Sequence, residues 1–266
     1  MRRATVALTV VILAIAGAAY GAVTLWRMYG SHIDARCTYG AFDTDTAQAS
    51  VAATMVGVVV TRQLPERAAV LVIAAALQES KLRNIPSGQG DRDSVGVLQQ
   101  RPSQGWGTKA QLAGVKFATG AFLDRLVEFA GWESMPLARA VQSVQISADE
   151  TAYAGHELRA QAIADALTGT TPRGISCRFE APTTVASPAS VIATLRSDLP
   201  VDVPTVRGKQ ITVTGASWAT AAWFVANADR LGVDSVLYAG GRWKRPAGWR
   251  DDTSAGRDAV VVTMHG

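Results

Sequence analysis

The stretch LQESKLRNIPSGQGDRDSVGVLQQRP, residues 77–102, gathers the side chains of this chain best suited to proton transfer and polar recognition. Glu79 stands at the end of an apolar, Ala-rich run. Partial burial there disfavours the charged carboxylate, raises its proton affinity and lets it act as a general acid near neutral pH. Ser80 follows it, placed either to orient the carboxylate or to cap the helix end. After a polar loop the chain returns with Gly96-Val97-Leu98-Gln99. Glycine admits close backbone approach to a ligand, and the Gln99 amide can both donate and accept hydrogen bonds. Asp91 and Asp93 in the loop offer a second carboxylate. A lone glutamate at a helix end is ordinarily a solvated one, so the chemistry rests on the combination.

That combination resembles the lysozyme-like superfamily of soluble lytic transglycosylases and goose-type lysozymes. In that family Glu-Ser ends a core helix, and a loop leads to Gly-Leu-Met-Gln with a proline three residues later. Glu79-Ser80, Gly96 to Gln99 and Pro102 stand at the matching places. The run GDRDSVGVLQ, residues 90–99, is similar to the goose-type loop, with Asp91 as its aspartate. Tyr153, followed by Ala154-Gly155, matches the tyrosine that lies near the acid. Arg101 departs from the pattern, because the family has a further aspartate there. Residues 37–177 also resemble membrane-anchored or secreted bacterial proteins that carry such a motif between paired cysteines.

The resemblance implies cleavage of the β-1,4 bond between N-acetylmuramic acid and N-acetylglucosamine in peptidoglycan, with no cofactor and no metal. Glu79 would protonate the leaving oxygen. In a transglycosylase the same carboxylate returns as base while the muramic 6-hydroxyl closes a 1,6-anhydro ring. In a hydrolase a second carboxylate, Asp91, would activate water. Ser80, Gly96, Gln99 and Tyr153 are the expected substrate-binding set. The alternative is a non-catalytic wall-binding or envelope-assembly scaffold that keeps the groove without turnover.

The elements that must position these residues are mostly helical between the cysteines. Helices are predicted over residues 45–63, opened by Asp43, Thr44 or Asp45 as N-cap, and over 65–80, with Pro65 and Glu66 in the first turn. Weaker helical patterns cover 109–129, 137–146 and 150–167, and a short β element fits around 95–100. Composition changes after Cys177: residues 181–190, APTTVASPAS, read as a linker. Strands are then predicted at 210–214, 235–238 and 259–264, with a helix over 218–231 and a loop or hairpin with exposed aromatics over 239–249. The expected organisation is therefore an N-terminal tip, transmembrane anchor and stalk over 1–36, and a mostly α lysozyme-like domain over 37–177. A linker over 178–190 and a small α+β domain over 191–266, a candidate surface for an envelope protein partner, complete it.

Composition bounds the compartment and the partner. The chain has 266 residues, 48% hydrophobic and 18% charged, with a formal net charge of +4. This mild, dispersed basicity does not point to nucleic acid. Arg2 and Arg3 precede an uncharged stretch over 4–26, about 23 residues or about 34 Å as a helix, enough to cross a bilayer core. The positive N-terminus would leave the rest of the chain outside the cytoplasm, anchored as a single-pass protein. A cleaved signal peptide, which would make the protein secreted, is the competing reading. The chain holds two cysteines, Cys37 and Cys177, with no neighbouring ligands at metal spacing. Outside the cytoplasm such a pair reads as a disulfide, and two unpaired core residues are the other reading.

Overall fold

The structure, a computed structural model, describes residues 20–21, 34–145, 152–182 and 184–266. Residues 35–266 form one compact unit. It opens on a hairpin, β1 (Arg36–Tyr39) and β2 (Phe42–Asp45), turned at Gly40 with φ +59°. β3 (Ser176–Arg178) pairs antiparallel on the other side of β1, giving a three-stranded sheet in the order β2-β1-β3. Cys37 lies directly opposite Cys177 in that register and is bonded to it. The disulfide closes a loop across a sequence separation of 140. In the chain-entropy model a loop of this length stabilises by at most roughly 5 kcal/mol.

Between these strands lie the helices that carry the opening stretch. α1 (Thr46–Thr61) starts at a capping box, in which the Asp45 side chain accepts from Gln48 N and the Gln48 side chain accepts from Asp45 N. α2 (Glu66–Ser80) is buried at every position from Ala68 to Leu77. A helix apolar all round has to sit in the core, and α2 does so, packed between α1 and α6 (Glu157–Thr168). The pattern over 109–129 resolves into α3 (Lys109–Leu112) and α4 (Val115–Leu126), separated at Gly114. α5 (Leu137–Gln145) buries Leu137, Ala140, Val141 and Val144, the helical spacing of one face.

The remaining chain builds α7 (Pro188–Asp198), β4 (Thr205–Arg207), β5 (Gln210–Thr214), α8 (Trp218–Ala226) and α9 (Ala228–Leu231). It ends with β6 (Val233–Tyr238), β7 (Gly241–Lys244), β8 (Gly248–Asp251) and β9 (Ala259–Met264). These strands form one antiparallel sheet in the order β4-β5-β9-β6-β7-β8. α8 packs on the inner face of this sheet and, from its other side, on α1 and α6. One continuous hydrophobic core therefore runs from the helices into the sheet.

The expected fold class, a mostly α domain with a transmembrane helix before it and a small α+β domain after it, is corrected. The structure is about 44% helix and 19% strand, with two antiparallel sheets. β1, β2 and β3 have only 4, 4 and 3 residues, too few for alternation to be read locally, and their pairing closes over most of the chain. Among the described residues no helix is long and apolar enough to cross a membrane. Of the stretch 4–26 only Tyr20 and Gly21 are described, so the expected anchor lies almost wholly outside the described residues. The hairpin aromatics are also corrected. Trp243 is fully buried and Trp249 half-buried, and their indole N–H groups donate to the Cys177 and Ile175 carbonyls at 3.2 and 2.7 Å. They dock the large sheet onto the strand that carries the disulfide.

Candidate active site

Glu79 is the penultimate residue of α2, and the way that helix ends determines where its carboxylate points. Lys81 and Leu82 both adopt positive φ, +54° and +60°. Their N–H groups close onto the carbonyls of Leu77 and Ala76 at 3.1 and 3.0 Å. This turn drives Leu82 into the core, where it is 1% exposed. The Ser80 hydroxyl, itself buried, donates to the Val97 carbonyl at 2.7 Å. The helix end is thereby tied to the Gly96–Gln99 segment, and Glu79 is held half-buried between them.

Three side chains bear on that carboxylate. The Tyr153 hydroxyl donates to Glu79 Oε1 at 2.7 Å. Gln145, at the end of α5, gives a second side-chain hydrogen bond, and Arg101 adds a positive field. Gln145 is fixed by its own bond from Nε2 to the Leu98 carbonyl, 3.1 Å. Burial is the largest influence and raises the proton affinity of Glu79 above that of an ordinary glutamate, while Tyr153, Gln145 and Arg101 oppose it. A carboxylate so placed keeps its proton to higher pH than an ordinary glutamate, and its charged form has donors waiting when the proton leaves.

The other expected site residues fall into place differently. Tyr153, expected to bind substrate, is fully buried, so its hydroxyl meets Glu79 inside the fold and offers no surface to a sugar. Ser80 likewise acts inside the fold. Gly96 was expected to let a sugar approach. Instead it has φ +79°, and a Cβ there would lie 2.3 Å from the Leu112 carbonyl oxygen. The close approach is to the end of α3, and the Gly96 N–H meets the Ile85 carbonyl at 2.9 Å. Gln99 folds back, its Nε2 on the Gly96 carbonyl at 2.8 Å and its Oε1 within 2.5 Å of where a Gly90 Cβ would stand. The short β element expected around 95–100 is the bridge between Val95 and Gln100, with a second between Ile85 and Gly96. These contacts shape the motif into a braced wall, with Gln99 half-exposed on it.

Asp91 sits at the exposed tip of the loop, its side chain 74% accessible, where Arg101 Nη2 holds it at 3.0 Å. Arg101 Nε donates to Ser94 Oγ at 3.1 Å, so this arginine spans the loop and still reaches Glu79 with its field. Asp93 is turned the other way. Its carboxylate accepts from Ser103 N at 2.9 Å, and that hydrogen bond holds it below the usual carboxylate range. Trp106 is buried, with the Arg125 guanidinium 3.4 Å above its ring centroid, so that face is closed to a sugar.

Sequence reasoning missed Gln145, and no local pattern marks it. It enters the site because α5 packs against α2, a tertiary fact. Arg101 was legible only as a departure, and its contacts supply the role. His156 was read as structural or solvated. It lies beside the site, with Nε2 2.9 Å from Gln78 Oε1, and burial lowers its proton affinity. The chain matches no family model, and no curated protein resembles it closely enough to count as a relative.

Proposed function

We propose that this protein cleaves the glycan strands of peptidoglycan between N-acetylmuramic acid and N-acetylglucosamine, with Glu79 as general acid and then base. The observation that carries this reading is the half-buried Glu79 carboxylate, its proton affinity raised by burial and its Oε1 bonded to the Tyr153 hydroxyl at 2.7 Å. The protonated Glu79 gives its proton to the glycosidic oxygen as the bond to the muramic C1 breaks. The resulting carboxylate, steadied by Tyr153 and Gln145, takes the proton of the muramic 6-hydroxyl as that oxygen closes on C1. A lytic transglycosylase outcome is favoured over hydrolysis by the carboxylate inventory. Among the described residues the side chains acting on Glu79 are a phenol, an amide and a guanidinium, and Asp91 is held by Arg101 at the loop tip. The substrate lies outside the cytoplasm, a compartment in keeping with the Cys37–Cys177 disulfide.

The test is release of muropeptides from purified peptidoglycan by the full chain beside Glu79→Gln. Soluble products with 1,6-anhydro ends from the wild type alone are expected. Equal release by both proteins sinks the assignment, and reducing ends replace ring closure with hydrolysis. One observation favours the non-catalytic alternative: Arg101 occupies the family's aspartate position and opposes protonation of Glu79. Binding of peptidoglycan by both proteins with no release by either would select that scaffold reading.

A further inference from the structure

The outer face of the six-stranded sheet, remote in sequence from Glu79, carries a concavity of about 390 Å³ lined by Asp234, Ser235, Arg242, Lys244, Arg245 and Thr263. Its floor is a row across three strands: Thr263 of β9 is opposite Ser235 of β6, which is opposite Lys244 of β7. Directly opposed side chains are about 5 Å apart on one face. Arg242 lies two residues along β7 on the same face, about 7 Å away. The other face of these strands holds Val236, Trp243 and Val262 in the core, so this row has nowhere to point but outward.

The donors in the row are unused. Among the described residues neither the Ser235 hydroxyl nor that of Thr263 has a protein hydrogen-bond partner, and both line the concavity without being buried unpaired atoms. Lys244 likewise has no ion-pair partner among them, although it is exposed. Asp234, the one carboxylate lining the concavity, is engaged by Arg245 at 2.7 Å and by His265 at 3.1 Å. Arg242 uses Nε on Asp252, which lies outside the lining set. Asp234 offsets Arg245 and Asp252 offsets Arg242, which leaves the Lys244 ammonium as the excess positive charge at the concavity. Ammonium and guanidinium groups only donate, and with two hydroxyls they converge from three strands. A tetrahedral oxyanion, with acceptor oxygens pointing in several directions, fits donors converging from three strands better than a planar carboxylate does.

We propose that this concavity binds a phosphate group, held by Lys244 and Arg242 with the hydroxyls of Ser235 and Thr263. The group comes either from free phosphate or from the phosphodiester backbone of an anionic polymer. The inference is independent of the catalytic reading of Glu79, since no residue is shared.

The test titrates the full chain with inorganic phosphate and, separately, with poly(glycerol phosphate), followed by calorimetry. Saturable binding is expected, weakened about tenfold or more by Lys244→Glu, since hydrogen bonds to charged groups are the strong ones. Thr263→Val should weaken it by a smaller factor. Arg196→Glu, exposed on α7 and outside the lining set, should leave it nearly unchanged. Much tighter binding of the polymer assigns the site to the polymer, and equal affinity per phosphate assigns it to free phosphate. Absence of saturation at millimolar concentrations of both overturns the proposal. So does equal weakening by Arg196→Glu and Lys244→Glu, which would mean diffuse surface charge. Lys244→Met, checked by circular dichroism, replaces Lys244→Glu should charge reversal disturb the fold.

Discussion

The Tyr153 phenol and the Glu79 carboxylate meet at 2.7 Å although 74 residues of chain separate them. The phenol is fully buried and the carboxylate half-buried, so the bond is made where water competes weakly. It favours the charged carboxylate and opposes the burial that favours the neutral acid. Burial raises the pH at which Glu79 gives up its proton, and the Tyr153 bond, with Gln145 and Arg101, pulls it back.

Tyr153→Phe should move that pH. Removing the donor takes away an influence that lowers the proton affinity of Glu79, so the affinity rises. If Glu79 acts as the acid, the alkaline limb of kcat/KM for muropeptide release shifts to higher pH. The rate itself falls by about tenfold to a hundredfold, as expected for a charge-assisted bond of about 1.5–3 kcal/mol. An unmoved limb would mean the phenol has no influence on the titrating group.

Stability should also report on Glu79. Its proton affinity in the fold is raised above the ordinary value of 4.5. The native state then binds the proton more tightly than the unfolded chain does, so the stability this residue contributes is full below the ordinary value. It is lost as pH climbs through the raised value. Glu79→Gln cannot ionise, and it should melt above the wild type at neutral pH. The gap should close as the pH falls below about 4. Thermal melts across pH 3–8 measure it, and a gap that is constant with pH refutes the assignment.

Asp91 and Arg101 separate the two reaction outcomes. Asp91 is held by Arg101 at 3.0 Å, and on the transglycosylase proposal Asp91→Asn should keep most of the activity and the same 1,6-anhydro products. A fall of about a hundredfold or more, the scale of a lost general base, would assign water activation to Asp91. Arg101→Ala should raise the proton affinity of Glu79 by removing its favourable field, shifting the alkaline limb in the same direction as Tyr153→Phe.

Gly96→Ala tests the brace. The residue has φ +79°, and an added methyl would stand 2.3 Å from the backbone carbonyl of Leu112, which cannot yield as a side chain would. A loss of about 2 kcal/mol or more is expected from backbone strain and the collision together. The denaturant midpoint reads it, with the unfolding slope unchanged.

The sequence by itself determined the local elements whose cause is local. Asp45 with Gln48 starts α1, Pro65 and Glu66 start α2, and the run over 68–77 is apolar at nearly every position and so is buried. The strands at 210–214 and 259–264 were legible because β-branched residues recur there. Glu79 and Tyr153 were both legible as candidates, and Cys37 with Cys177 as a pair. Tertiary structure decided what those candidates touch. Strands of 3 or 4 residues around the disulfide exist only because distant partners pair them, and Trp243 is buried because β3 lies beneath it. Gln145 reaches Glu79 through helix packing, Gly96 answers to Leu112, and Arg101 pairs with Asp91 at the exposed loop tip. Periodicity reports which face of an element is apolar. Which polar groups converge in space depends on long-range closure, and no local pattern encodes it.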